Sequence, residues 1–177
     1  MPTTRKSNTN KKKHRKSVSR SVWREKGWNV VTGKLVPGKG RPERTAPLFE
    51  CIAEKIPYEA LATIEQEIET AGGRTDGVYL AHDSIGVARY AGRGQIFARL
   101  KAHKRRYPME LCYFSFYTIA SKKHEREIET AILRAAGPQL ILNTRKVQSD
   151  VAKGDVRDYE PGTRFFERQR VRGRRIE

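Results

Sequence analysis

The segment from Leu111 to Ile119 constrains the fold most, because it carries aromatic residues at both parities: Tyr113 and Tyr117 at one, Phe114 and Phe116 at the other. A strand with large apolar side chains on both faces must be covered on both faces, so a sheet lined by helices is expected. Two shorter apolar runs precede it, Val78–Ala81 and Val87–Ala91, separated by the turn-rich interval His82-Asp83-Ser84-Ile85-Gly86. They read as a hairpin. Gln95 to Arg106 has helical spacing with Ile96, Phe97 and Leu100 inward, and Ser121 is a fitting N-cap for a helix running to Ala136 and ended by Gly137-Pro138. The order is β-β-α-β-α. The expected fold is α/β (α+β): a small antiparallel three-stranded sheet flanked by helices, with basic N- and C-terminal extensions.

Charge divides the rest of the chain. The 177 residues hold 37 Lys/Arg against 20 Asp/Glu, a formal net charge of +17, with a pI near 10.2, so the partners in view are polyanions. Residues 1–26 carry ten Lys/Arg against one acid, Glu25, and are expected to form a basic disordered arm. Its run Lys11-Lys12-Lys13-His14-Arg15-Lys16 suits phosphate contacts made by counterion release, or simply solubility. Residues 27–75 read as a linker or wrap, rich in Gly and Pro between Gly33 and Pro47, followed by an acidic amphipathic helix in which Tyr58, Leu61, Ile64 and Ile68 recur at helical spacing. From Glu50 to Asp76 seven acids face only Lys55 and Arg74, so this helix is expected to pack on the domain and keep nucleic acid off its side. Residues 76–146 form the central domain and 147–177 a basic C-terminal extension. There, Phe165 and Phe166 among the arginines suit base stacking or packing back onto the domain.

The chain has no run of 18 apolar residues and no apolar segment after its basic start, so neither a membrane span nor a signal peptide is expected. Cys51 and Cys112, the only cysteines, have no metal-site spacing and suggest a reducing compartment. A cytoplasmic, nucleoid-associated location follows if the source is prokaryotic.

Within the central domain, Glu129 stands out. On a helical wheel it falls inside the apolar arc of Ile128, Ala131, Ile132, Leu133 and Ala136, where an ionised carboxylate is costly unless paired or bound to a metal. A buried ion pair with an arginine is one reading; a ligand for Mg²⁺ or a similar hard cation is the other. Glu125, a turn earlier, reads as a helix-dipole partner. On the first helix Arg99, His103 and Arg106 share one side, bordering the inward face, where they line a cleft or form an ordinary exposed basic stripe. Tyr79 lies on the opposite strand face from Val78 and Leu80, and Tyr90 on the opposite face from Arg89 and Ala91, as core residues or as members of a site.

Taken together these residues resemble a GIY-YIG nuclease domain. Gly77-Val78-Tyr79 matches the first tripeptide, Tyr90-Ala91-Gly92 the second, and Arg99, His103, Glu129 and Asn143 follow in the family's order, over roughly residues 76–146. Two positions depart from the pattern: Ala91 stands where isoleucine is usual, and Pro138 to Asn143 is longer than the common Pro-x-Tyr-Asn ending.

The resemblance implies metal-dependent endonucleolytic hydrolysis of DNA phosphodiesters, of restriction or mobile-element type, with Mg²⁺ or Mn²⁺ as cofactor. It implies catalytic roles for Tyr79, Tyr90, Arg99, His103, Glu129 and Asn143, with the metal on Glu129 and Arg99 beside the scissile phosphate; Gly77 and Gly92 are its structural glycines. Tyr79 is then the candidate general base, although holding a phenol of pKa about 10 ionised at pH 7 requires about 4 kcal/mol. The alternative is that Tyr79 orients the water while His103 or a metal-bound hydroxide does the proton work. Duplex DNA is the expected partner, gripped by Lys11, Lys12 and Lys13 in the arm and by Arg93, Lys101, Lys104, Arg105 and Arg106 near the first helix. Sequence reading would fall to wrapping extensions or a homodimer. The competing reading is a non-catalytic DNA- or RNA-binding protein that works through its basic surface and tails.

Overall fold

The aromatic strand lies inside a sheet far wider than three strands. In a computed structural model that describes residues 15–36, 47–136, 139–143 and 162–171, the strands are β1 (Arg15–Glu25), β2 (Trp28–Val36), β3 (Phe49–Pro57), β4 (Asp76–His82), β5 (Ala88–Gln95), β6 (Tyr113–Ile119) and β7 (Arg164–Arg170). They form one seven-stranded mixed sheet in the order β1-β2-β7-β3-β6-β4-β5. The expected three-stranded sheet is therefore only the β6-β4-β5 end of the real one. The α+β class and the β-β-α-β-α run survive, with α1 (Leu61–Thr70), α2 (Ile96–Arg106) and α3 (Lys122–Ala136).

Both extensions enter the sheet. Part of the arm expected to be disordered forms β1, and part of the expected linker forms β2 and β3. The C-terminal β7 inserts between them, antiparallel to β2 and parallel to β3. Phe165 and Phe166 are buried on opposite faces of β7, so they pack onto the domain and are not open for base stacking. Arg168 stacks over the rings of Trp28 and Tyr113 at 4.4 and 4.5 Å, a cation–π clasp between the added strands and the central one. Lys11, Lys12 and Lys13 lie outside the described residues.

Strand β6 is covered on both faces, as its pattern required. Phe114 and Phe116 point into a core closed by α1 and α2, together with Tyr79, Phe97, Leu100, Ile64 and Ile68. Ile119 and Tyr117 face the other layer, where Ile132 and Leu133 of α3 pack with Val78, Leu80 and Phe165. The acidic helix packs as expected, burying Leu61, Ile64 and Ile68. Two of its acids are joined to neighbouring cations, Glu65 to Lys101 and Glu67 to Arg20, and Glu59 in the turn before it meets Lys26. Among the described residues no helix is long and apolar enough to cross a membrane.

A bulge in β3 between Ala53 and Ile56 places Lys55 at φ +52°. Its N–H leaves the ladder and donates to Ser115 Oγ at 2.9 Å, while Ser115 Oγ also lies 2.8 Å from His82 Nε2. His82 and Ser115 are both buried. They form part of the floor of a depression of about 590 Å³ on the sheet face that also carries Leu35, Ile52, Leu80 and Phe165. Burial, then the nearby Lys55, lowers the His82 imidazole to a pKa of about 4, so it is neutral at physiological pH.

Candidate active site

The sheet end at β5 gathers most of the residues singled out from the sequence. The antiparallel register sets Tyr79 opposite Gly92 and Ala81 opposite Tyr90, so both tyrosines project to the α2 side. Their rings are nearly parallel, with centroids 6.0 Å apart. Gly92 makes this possible: a Cβ there would lie 2.7 Å from the Tyr79 hydroxyl and 2.9 Å from its Cζ. At Gly77 a Cβ would run into the backbone carbonyl of Tyr117, so this glycine permits the close approach of β6. The two motif glycines thus have separate steric reasons.

Burial of Ile96, Phe97 and Leu100 fixes the rotation of α2. That rotation brings His103 to the tyrosines, its ring 3.8 Å from Tyr90 and 6.1 Å from Tyr79, centroid to centroid. Arg99 and Arg106 emerge exposed on the same side. Burial, then Arg99 and Arg106, holds His103 below the ordinary histidine value, which leaves its imidazole neutral at pH 7. Tyr79 is displaced the other way: burial first, then the adjoining Tyr90, pushes its phenol well above the usual tyrosine value, against the opposing pull of Arg99. It stays protonated at neutral pH.

Glu129 lies on the buried side of α3, 4% exposed, close enough for its charge to raise Tyr79 further. Its carboxylate is paired: Arg93 of β5 places Nε 3.0 Å from Oε2. Glu125, a turn earlier and also buried, meets Arg74 at 3.3 Å. Arg74 further holds Asp76 through Nε and Nη2, at 3.1 and 2.7 Å, and donates to the carbonyl of Ile119 at 2.8 Å. No periodic pattern marks Arg74, which anchors the start of β4 to the end of β6 and to α3.

A divalent ion at Glu129 would have one carboxylate, and among the described residues no group of three His, Cys, Asp or Glu gathers anywhere. Mg²⁺ commonly binds through one or two carboxylates and keeps several waters beside substrate phosphate oxygens. A single buried carboxylate whose charge reaches Tyr79 is compatible with that pattern.

Asn143 is buried against the outer edge of β5. Its Oδ1 accepts from the Ala91 N–H at 2.8 Å and its Nδ2 donates to the Ala91 carbonyl at 2.7 Å. The Leu142 N–H donates to the Arg89 carbonyl at 3.0 Å. Asn143 therefore completes the edge strand between Tyr90 and Gly92, and touches the site through that strand.

The expected phosphate contacts separate by environment. Arg105 and Arg106 are exposed, and Arg106 also stacks over Tyr107 at 5.3 Å. Lys101 is paired with Glu65 of α1. Lys104 donates to the carbonyls of Pro108 and Leu111 just past the end of α2, and Arg93 turns to Glu129. No protein-family model, curated protein or solved structure matches this chain.

Proposed function

We propose that the chain is a metal-dependent endonuclease of the GIY-YIG type acting on duplex DNA. The observation that carries this reading is the convergence, at one open sheet end, of the Tyr79–Tyr90–His103 ring cluster with exposed Arg99 and buried Glu129. A buried acid and an exposed arginine that both act on the Tyr79 phenol suit phosphodiester chemistry.

In the mechanism this supports, Arg99 offers its planar fork to the scissile phosphate and stabilises the charge that gathers on its equatorial oxygens. His103, neutral at pH 7, takes the proton of the attacking water as the new P–O bond forms and the ester P–O bond breaks. The buried Tyr79 phenol keeps its proton and orients the water by hydrogen bonding. General-base duty thereby falls to His103. Glu129 would hold Mg²⁺ or Mn²⁺, which supplies Lewis-acid stabilisation of the phosphate and the leaving oxygen.

The second reading, a non-catalytic nucleic-acid-binding protein, is favoured by one observation: the Arg93 pair already compensates the Glu129 carboxylate without a metal. Plasmid cleavage with Mg²⁺ decides between them. For the nuclease, Glu129→Gln and Arg99→Ala each lower cleavage at least about 100-fold, a conservative loss for a transition-state contact, while duplex binding persists. For the binder, no form cuts and affinity shows a steep salt slope without metal dependence.

A further inference from the structure

Arg93 follows Gly92 directly, near the end of β5 before α2, and its side chain is 45% exposed while the carboxylate it contacts is 5% exposed. The next residue, Gly94, has φ +116° and open space where a Cβ would be. One end of this ion pair is thus fixed in the core. The other is a long cation at a solvent boundary.

We infer that Arg93 is an exchangeable placeholder: its guanidinium neutralises Glu129 in the free protein and transfers to a DNA phosphate when duplex enters, opening the carboxylate to the divalent ion. The inference rests on the reading of Glu129 as the metal ligand. A buried carboxylate needs a counter-charge at all times. A divalent cation and a guanidinium on the same carboxylate repel each other strongly in a site of low polarity, so occupancy by one weakens the other. Duplex DNA supplies an alternative anion for the guanidinium, with a geometry it matches bidentately. Linkage then requires that DNA raise metal affinity and metal raise DNA affinity by the same factor. Arg93 is a positioning residue in this scheme. It touches neither the reacting water nor the phosphorus, and it makes metal loading dependent on substrate.

The test is Mn²⁺ binding to the full chain, read as free Mn²⁺ by electron paramagnetic resonance. In the absence of DNA, Arg93→Gln is expected to bind Mn²⁺ about 5- to 150-fold more tightly than the parent, the usual span of a coupling between two sites. Arg93→Lys, which keeps a cation but not the fork, should fall between. Adding a short duplex to the Arg99→Ala form, with binding by DNA alone subtracted, should tighten Mn²⁺ binding by a comparable factor. In an Arg93→Gln, Arg99→Ala double variant the duplex should have little further effect. If Arg93→Gln is poorly folded, Mn²⁺ should raise its melting temperature more than that of the parent. Glu129-dependent Mn²⁺ binding that is indifferent to Arg93→Gln and to duplex overturns the inference and leaves the metal site standing. Mn²⁺ binding that survives Glu129→Gln unchanged, or that is absent from every form, overturns the metal-site reading itself.

Discussion

Replacing Asn143 with alanine separates a strand-holding role from a chemical one. The side chain is 6% exposed and makes two hydrogen bonds, at 2.8 and 2.7 Å, to the N–H and C=O of Ala91, itself 1% exposed. Truncation removes both and leaves two backbone groups of the edge strand unpaired where water reaches poorly. Each such orphan costs about 1–3 kcal/mol, so the loss should total roughly 2–6 kcal/mol, less whatever a water in the vacated space restores. For a chain of this length that is a fall in melting temperature on the order of 10 °C. Asn143→Asp should also destabilise, because it keeps the acceptor for the N–H but sets a second oxygen against the Ala91 carbonyl. Urea unfolding followed by far-UV circular dichroism gives the energy, and hydrogen exchange at the Ala91 amide locates it. If Asn143→Ala unfolds within about 0.5 kcal/mol of the parent, the size of an ordinary surface change, and still loses cleavage, the strand-holding role is wrong and Asn143 acts on the substrate.

Two pH dependences follow from the half-buried His103 and the buried His82. With His103 as base and its pKa held down by burial and by Arg99 and Arg106, the acid limb of kcat/KM should lie below the ordinary histidine value of about 6.5; a rate that climbs instead through pH 9–10 would assign the proton to Tyr79. His82 should be visible in stability: its pKa is about 4 when folded against 6.5 when free. The neutral form is favoured by folding, so this contribution is complete above pH 6.5 and is lost as pH falls towards 4, about 3 kcal/mol over that window. His82→Gln should flatten the parent's loss between those limits by that amount, and equal slopes in the two proteins would show that His82 is not responsible.

Local pattern carried the central block well. Aromatic residues at both parities announced a strand covered on both faces, and β6 is one; Ile96, Phe97 and Leu100 gave the rotation of α2; the apolar arc around Glu129 correctly implied a buried carboxylate that needs a partner. What escaped was pairing between distant parts. Strand β1 is dense in Arg, Lys and Ser, so its charge outweighed its Val and Trp, and Gly33 interrupts β2. Their place in the sheet depends on β7, more than a hundred residues later, and no periodicity encodes which strands will meet. The same holds at the site. An arginine partner for Glu129 was foreseeable in kind, but Arg93 and Arg74 are chosen by β5 and β4 lying beside α3.

The position of β7 fixes an order of assembly. Strand β2 meets the rest of the sheet only through β7, which lies between it and β3. The hairpin of β1 and β2, synthesised first, therefore has no sheet edge to join until Arg164–Arg170 has left the ribosome, whereas β3 to β6 and all three helices can pack beforehand. A nascent chain would pass through a stage with its tyrosine and histidine cluster in place while the β1–β2 hairpin is still undocked. That hairpin stays outside the sheet until Arg164–Arg170 pairs with β2 and β3. Long-range closure of this kind makes folding slow relative to the helices and hairpins it joins.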